Sequence, residues 1–212
     1  MIIAVDGPAA SGKGTLGKRL AAHYGLNHLD TGLLYRAVAR ALIDAGHALD
    51  DEAAATKMAE HLDFSTLDET RLRGREAGES ASVVSAYPGV RAALIKGQRD
   101  FAKKPPGAVL DGRDIGTVIC PDADAKLFVT ATSEERAKRR WLELKKNDPA
   151  LAYETVLADI VKRDERDSGR ATAPLKQAEN ARLLDTTKLD IEAAFQMAVS
   201  LIDADMSGKK ER

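Results

Sequence analysis

Very little in this chain would cross-link it, anchor it or draw it to a polyanion. Its 212 residues hold a single cysteine, Cys120, which excludes an intrachain disulfide framework and suits a reducing cytoplasm. No apolar run approaches the ~20 residues of a membrane helix, and the opening MIIAVDG has no cationic leader before its apolar part. Charge of one sign is equally scarce. The 32 Lys and Arg stand against 33 Asp and Glu, so no long-range field recruits a nucleic acid polymer. Arginines that bind anions must therefore act by local arrangement. His23, His28, His47 and His61 show no metal-ligand spacing and read as structural or surface residues. Internal repeats and low-complexity tracts are missing too. What is present is an ordinary globular balance, 44% hydrophobic and 31% charged, in a chain long enough for one core plus a small insertion.

Short apolar runs alternate with longer amphipathic ones. Residues 1–5, 108–110, 127–129 and 182–184 read as buried strands, each bordered by a turn-like or acidic residue. GKGTLGKRLAAHYG, LLYRAVARALIDAG and VRAALIKGQRDFAKK read as helices, the last started by Pro88 and broken by Pro105-Pro106. This alternation predicts an α/β fold with a parallel sheet covered on both faces. Residues 62–88 lose helical periodicity and gain Gly, Ser and Thr, which predicts an inserted lobe or loop.

The first strand runs directly into Gly7-Pro8-Ala9-Ala10-Ser11-Gly12-Lys13-Gly14-Thr15. This is nearly the phosphate-cradling pattern G-x-x-x-x-G-K-[ST], with Gly14 at the hydroxyl position and Thr15 after it. Backbone N–H groups of such a loop, and the helix start behind it, converge on phosphate oxygens. Lys13 then bridges the terminal phosphates of a nucleoside triphosphate.

Four further stretches carry groups suited to a second anion, each with a plain structural alternative. In DTGLLYRA, Thr31 offers a hydroxyl and Tyr35 and Arg36 follow; equally, Thr31 caps a helix and Arg36 is a surface arginine. In ASVVSAYPGVRAALIKGQRDF, Arg91 and Arg99 fall eight residues apart on a helix, which common surface arginines also do. In VLDGRDIGT, a strand ends at Asp111, where a carboxylate holds magnesium through water or orients an attacking oxygen. Arg113 and Asp114 follow in a glycine-bounded turn, either contacting a phosphate and a base or forming an ion pair with each other. In KRDERDSGRATAPL, Arg163, Asp167 and Arg170 form one helical stripe, matching a phosphate and a sugar hydroxyl or simply a solvated salt-bridge face.

In their order, GPAASGKGT, DTGLLYR, ASVVSAYPGVR, QRDF, GRDIGT, KRDERDSGRATAPL and LLDTTKLDIEAA resemble bacterial cytidylate kinases, within the nucleoside monophosphate kinases. The likeness covers most of the chain. It implies a P-loop fold of five parallel strands flanked by helices, with a core over 1–46, 89–142 and 161–212. A monophosphate-binding insertion over 47–88 and a lid over 143–160 complete it. The implied activity is ATP-dependent phosphorylation of CMP and dCMP, with Mg2+ carried by ATP near Thr15 and Asp111 rather than held by direct tight ligation. The resemblance assigns catalysis to Lys13, Arg113, Arg170 and Asp111, and the acceptor phosphate to Arg36, Arg113 and Arg170. Ser82, Arg91 and Asp114 then read the cytosine. Thr31, Arg163 and Asp167 reach the ribose or its phosphate, with Tyr35 in the same acceptor set, and Arg136 or Arg140 covers the transferring group. A monomer in the cytoplasm is expected, with no membrane or nucleic acid partner. The family's small three-stranded sheet has no room in residues 62–80, which suffice for a short hairpin or loop. The alternatives are another P-loop kinase of UMP, AMP or shikimate, and a nucleotide-switched binding module.

Overall fold

The computed structural model describes residues 1–210 except 65, 68 and 73. Five strands, β1 (Ile2–Asp6), β2 (Asn27–Asp30), β3 (Ala108–Gly112), β4 (Ala125–Thr130) and β5 (Arg182–Asp185), form one sheet in the order β2-β3-β1-β4-β5. Strand β1 runs parallel to both neighbours, with Val5 opposite Asp111 on one side and Leu127 on the other. Strand β5 continues the parallel sense beyond β4. The expected parallel α/β sheet is therefore present; β1, β3, β4 and β5 each run one or two residues past the apolar runs that mark them, while β2 (NHLD) has no apolar run to mark it.

The helices are α1 (Lys13–Tyr24), α2 (Thr31–Asp44), α3 (Glu52–Glu60), α4 (Arg75–Val84), α5 (Pro88–Lys103), α6 (Ser133–Leu144), α7 (Tyr153–Ser168) and α8 (Ile191–Lys210). Residues 62–88 are not wholly irregular. Helix α4 occupies ten of them and buries Gly78, Ser80, Ala81, Ser82 and Val84. Small side chains make that face close-packing rather than oily, so no apolar stripe marked it. No strand forms among the described residues of 62–80, and neither does a hairpin.

Two compact units emerge, Met1–Leu29 with Phe101–Arg212, and Asp30–Asp100. The second contains residues 47–88. In the first, Ile3, Val5, Val109, Leu127, Val129 and Leu184 of the sheet pack with Leu16 and Leu20 of α1 and Phe195, Ala198 and Ile202 of α8. In the second, α2 buries Leu34, Val38 and Leu42 at helical spacing.

The parallel sense carries the C-terminal ends of β1, β3, β4 and β5 to one edge, where α/β sheets hold ligands. The segments leaving that edge are the glycine loop after Asp6, the Arg113 turn after Gly112, the approach to α6 after Thr130, and Thr186 after Asp185.

Candidate functional site

The loop between β1 and α1 takes its shape from two glycines. A Cβ on Gly7 would lie 2.0 Å from the Val129 carbonyl oxygen, so only glycine lets the loop start against β4. Gly12 caps α1 with φ 90°, a left-handed backbone that side chains disfavour. Ala10 adopts φ 58° between them. Lys13 is buried and its Nζ donates to the Pro8 carbonyl at 3.1 Å, so the lysine folds back over its own loop. Ser11 is fully buried, and Thr15 is exposed on the first turn of α1.

Other parts of the same unit clamp this loop. Arg136 of α6 donates to the Ala9 carbonyl at 3.2 Å and forms a two-pronged pair with Asp164 of α7, at 3.1 and 2.5 Å. The buried guanidinium expected to cover a transferring phosphate is thus built into the loop's support, and Arg140 pairs with Glu143 at 2.8 Å. Both lie on α6, before the stretch expected to form the lid. Arg139 donates to the Thr186 hydroxyl and carbonyl at 3.0 and 2.7 Å, and the Thr186 hydroxyl lies 3.1 Å from the Ser11 carbonyl. Nothing in the spacing of Arg139 sets it apart from the cations around it in the sequence.

Asp111, at the end of β3, is buried, with Oδ2 2.8 Å from His28 Nε2. His28, which the sequence marks only as structural or surface, thus partners a candidate catalytic carboxylate. The other oxygen of Asp111 faces α1, 3.9 Å from where a Cβ on Gly14 would stand. Among the described residues no cluster of three or more His, Cys, Asp or Glu could hold a metal alone. A hydroxyl at Thr15 and a carboxylate at Asp111 are hard oxygen donors. They suit Mg2+ that arrives on phosphates and keeps most of its waters.

Arg113 Nε donates to Asp167 Oδ2 at 2.8 Å. Arg170, just past the end of α7, bonds Asp167 Oδ1, and Arg163 Nε stands 3.8 Å from Oδ2. One buried carboxylate thus gathers three guanidiniums from two segments. Burial would raise the Asp167 carboxyl, but Arg113, Arg170 and Arg163 together hold it well below the usual range. The helical stripe was legible; its junction with Arg113 was not, because it joins residues 54 positions apart.

In the unit Asp30–Asp100, Asp30 rather than Thr31 caps α2, accepting from Gly32 N at 2.9 Å. Thr31 is buried as the first helical residue. Arg36 donates to the Leu72 carbonyl at 3.0 Å. Arg91, on α5, is buried, donates to the Ser85 carbonyl at 3.2 Å and places its guanidinium carbon 5.7 Å from the centre of the Tyr35 ring, within cation–π range. Ser82, on α4, is buried as well. A serine and an arginine withdrawn from water are unusual for a surface helix face and mark these as more than solvated polar residues.

The sequence marks Asp6 only as the acidic residue that borders the first apolar run. Its carboxylate accepts from the backbone N–H of Ile115 at 2.8 Å and of Gly116 at 2.7 Å. A buried acid at the ligand edge of a parallel strand was the signal available.

Comparison with known proteins identifies the family and the fold. The cytidylate kinase family model matches residues 3–204. A cytidylate kinase of Methylocella silvestris is 63% identical over 204 residues, covering 96% of this chain and 94% of that protein. One from Azorhizobium caulinodans is 64% identical over 203 residues, covering 96% and 98%. At the level of fold, a solved structure of an uncharacterized protein from Eubacterium ventriosum aligns with TM-score 0.57 at 17% identity, over 96% of this chain and 99% of that one. No helix among the described residues is long and apolar enough to cross a membrane. By the family match and by identities of this size across nearly its whole length, the chain belongs to the cytidylate kinase family.

Proposed function

We propose that the chain transfers the γ-phosphoryl group of ATP to CMP and dCMP. The observation that carries this reading, beside family membership, is the pairing of a lysine-bearing amide loop with a separate, pre-formed guanidinium cluster at Asp167. A nucleotide switch needs the first and has no use for the second.

Phosphoryl transfer passes through a loose transition state, so positioning and charge neutralisation supply most of the acceleration. The amides of residues 7–15 and Lys13 hold the donor phosphates. Thr15 and Asp111 would hold Mg2+, which when bound screens the charge of the β- and γ-phosphates. Arg36, Arg113 and Arg170 hold the acceptor phosphate, and Arg163 and Asp167 meet the sugar. Ser82, Arg91 and Asp114 recognise the base, Thr31 reaches the ribose or its phosphate, and Tyr35 belongs to the same acceptor set. Residues 143–160 act as the lid that excludes water during transfer. One buried free cysteine accords with a reducing, cytoplasmic setting, and action as a monomer is proposed on the family resemblance alone.

The test is direct. With ATP and magnesium, release of ADP should be fast with CMP and dCMP and slow with UMP, AMP and shikimate; a preference for any of the last three would overturn the assignment. Asp114→Ala should lower kcat/KM for CMP far more than for UMP, by about tenfold or more. A carboxylate accepts from the cytosine amino group and repels the uracil carbonyl.

A further inference from the structure

The π-helical turn Ile115–Ile119 follows directly on Arg113 and Asp114, and its first N–H groups need acceptors. Asp114, at the capping position, makes no side-chain capping bond to it. The acceptor comes instead from another strand: both carboxylate oxygens of Asp6 take the Ile115 and Gly116 N–H groups. Asp6 is itself the last residue of β1, immediately before the donor loop.

We propose that Asp6 is a positioning residue for the acceptor site, fixing from β1 the turn that presents Arg113 and Asp114. The proposal rests on the acceptor roles given to those two residues above. Two observations support it. A remote cap frees the turn from using Asp114 as its own cap. The backbone is also fitted to the carboxylate, because a Cβ on Gly116 would stand 3.3 Å from Asp6 Oδ2 and 3.1 Å from Lys126 Cδ.

The anchor is costly, which argues that it does more than hold the fold. Burial pushes the Asp6 carboxyl up to about 6 despite the two N–H donors, with the Asp114 charge adding to the rise and Lys13 opposing it. A neutral residue would be cheaper to bury.

The Asp6→Asn variant tests this, because its amide keeps the shape and offers one acceptor while its NH2 confronts an N–H. Steady-state kinetics should show KM for CMP raised about tenfold, with KM for ATP changed less than twofold. Equal rises in both constants, or no rise in either, would overturn the proposal. If Asp6→Asn fails to fold by circular dichroism, Gly116→Ala carries the test with the same readout, since its methyl presses on the same contact from the other side. Asp114→Ala assayed in parallel separates the two ideas. Unchanged CMP-over-UMP preference there removes base reading by Asp114, whereas the split between the two KM values judges Asp6 alone.

Discussion

A guanidinium serves a phosphate best when something holds it in place before the phosphate arrives. Asp167 does this for Arg113 and Arg170, and its side chain is 1% exposed. Bonds from charged donors are about twice as strong as neutral ones and fix direction as well as distance. Removing the carboxylate takes away the counter-charge that Arg113, Arg163 and Arg170 share. Asp167→Asn should therefore cost about 3 kcal/mol of stability, read from urea unfolding. Removing a phosphate ligand is different in kind. Arg170→Ala and Lys13→Met should each lower turnover by about a hundredfold or more, with circular dichroism unchanged. Near-normal rates in either variant would take that residue out of the mechanism.

At the scale of elements, α6 and α7 form a brace on the donor loop. Ala137 and Ile160 pack with Ala9, and Arg136 ties the Ala9 carbonyl to Asp164. Arg136→Met would keep the packing stem and lose the fork. It should raise KM for ATP several-fold while leaving KM for CMP near its original value, as initial-rate kinetics with each substrate varied would show. The loss of stability should be about 2 kcal/mol, less than for a fully buried pair, because Asp164 keeps 27% of its side chain in solvent. Elements whose signal is local were legible from sequence. The glycine loop, α1 with Leu16 and Leu20, and β3 ending near Asp111 all carry their pattern in a few consecutive residues. Helix α4 was not legible, since apart from Val84 its buried face is made of Gly, Ala and Ser. Nor were the junctions of Asp6 with Ile115, Asp111 with His28 or Arg113 with Asp167, each joining distant segments that only the folded sheet brings together.

For the molecule as a whole, two buried acids pull stability in opposite directions with pH. Asp167 titrates below its unfolded value, so it contributes stability that is fully present above about pH 4 and is lost as the pH falls further. Asp6 has the reverse sign. Its folded value of about 6 exceeds the ordinary 3.8 of an aspartate, so between those limits the folded chain keeps a proton that the unfolded chain has released. Stability from this group is full below about pH 4 and declines until the pH passes 6, by about 3 kcal/mol at most. Urea midpoints should accordingly fall as the pH is raised from 4.5 to 7. In Asp6→Asn that decline should flatten, because the amide does not titrate, while the acid limb below pH 4 persists through Asp167. A variant whose midpoint declined as steeply as the parent between pH 4.5 and 7 would show that Asp6 is ionised in the fold at ordinary cost, and that its bonds to Ile115 and Gly116 offset its burial in full.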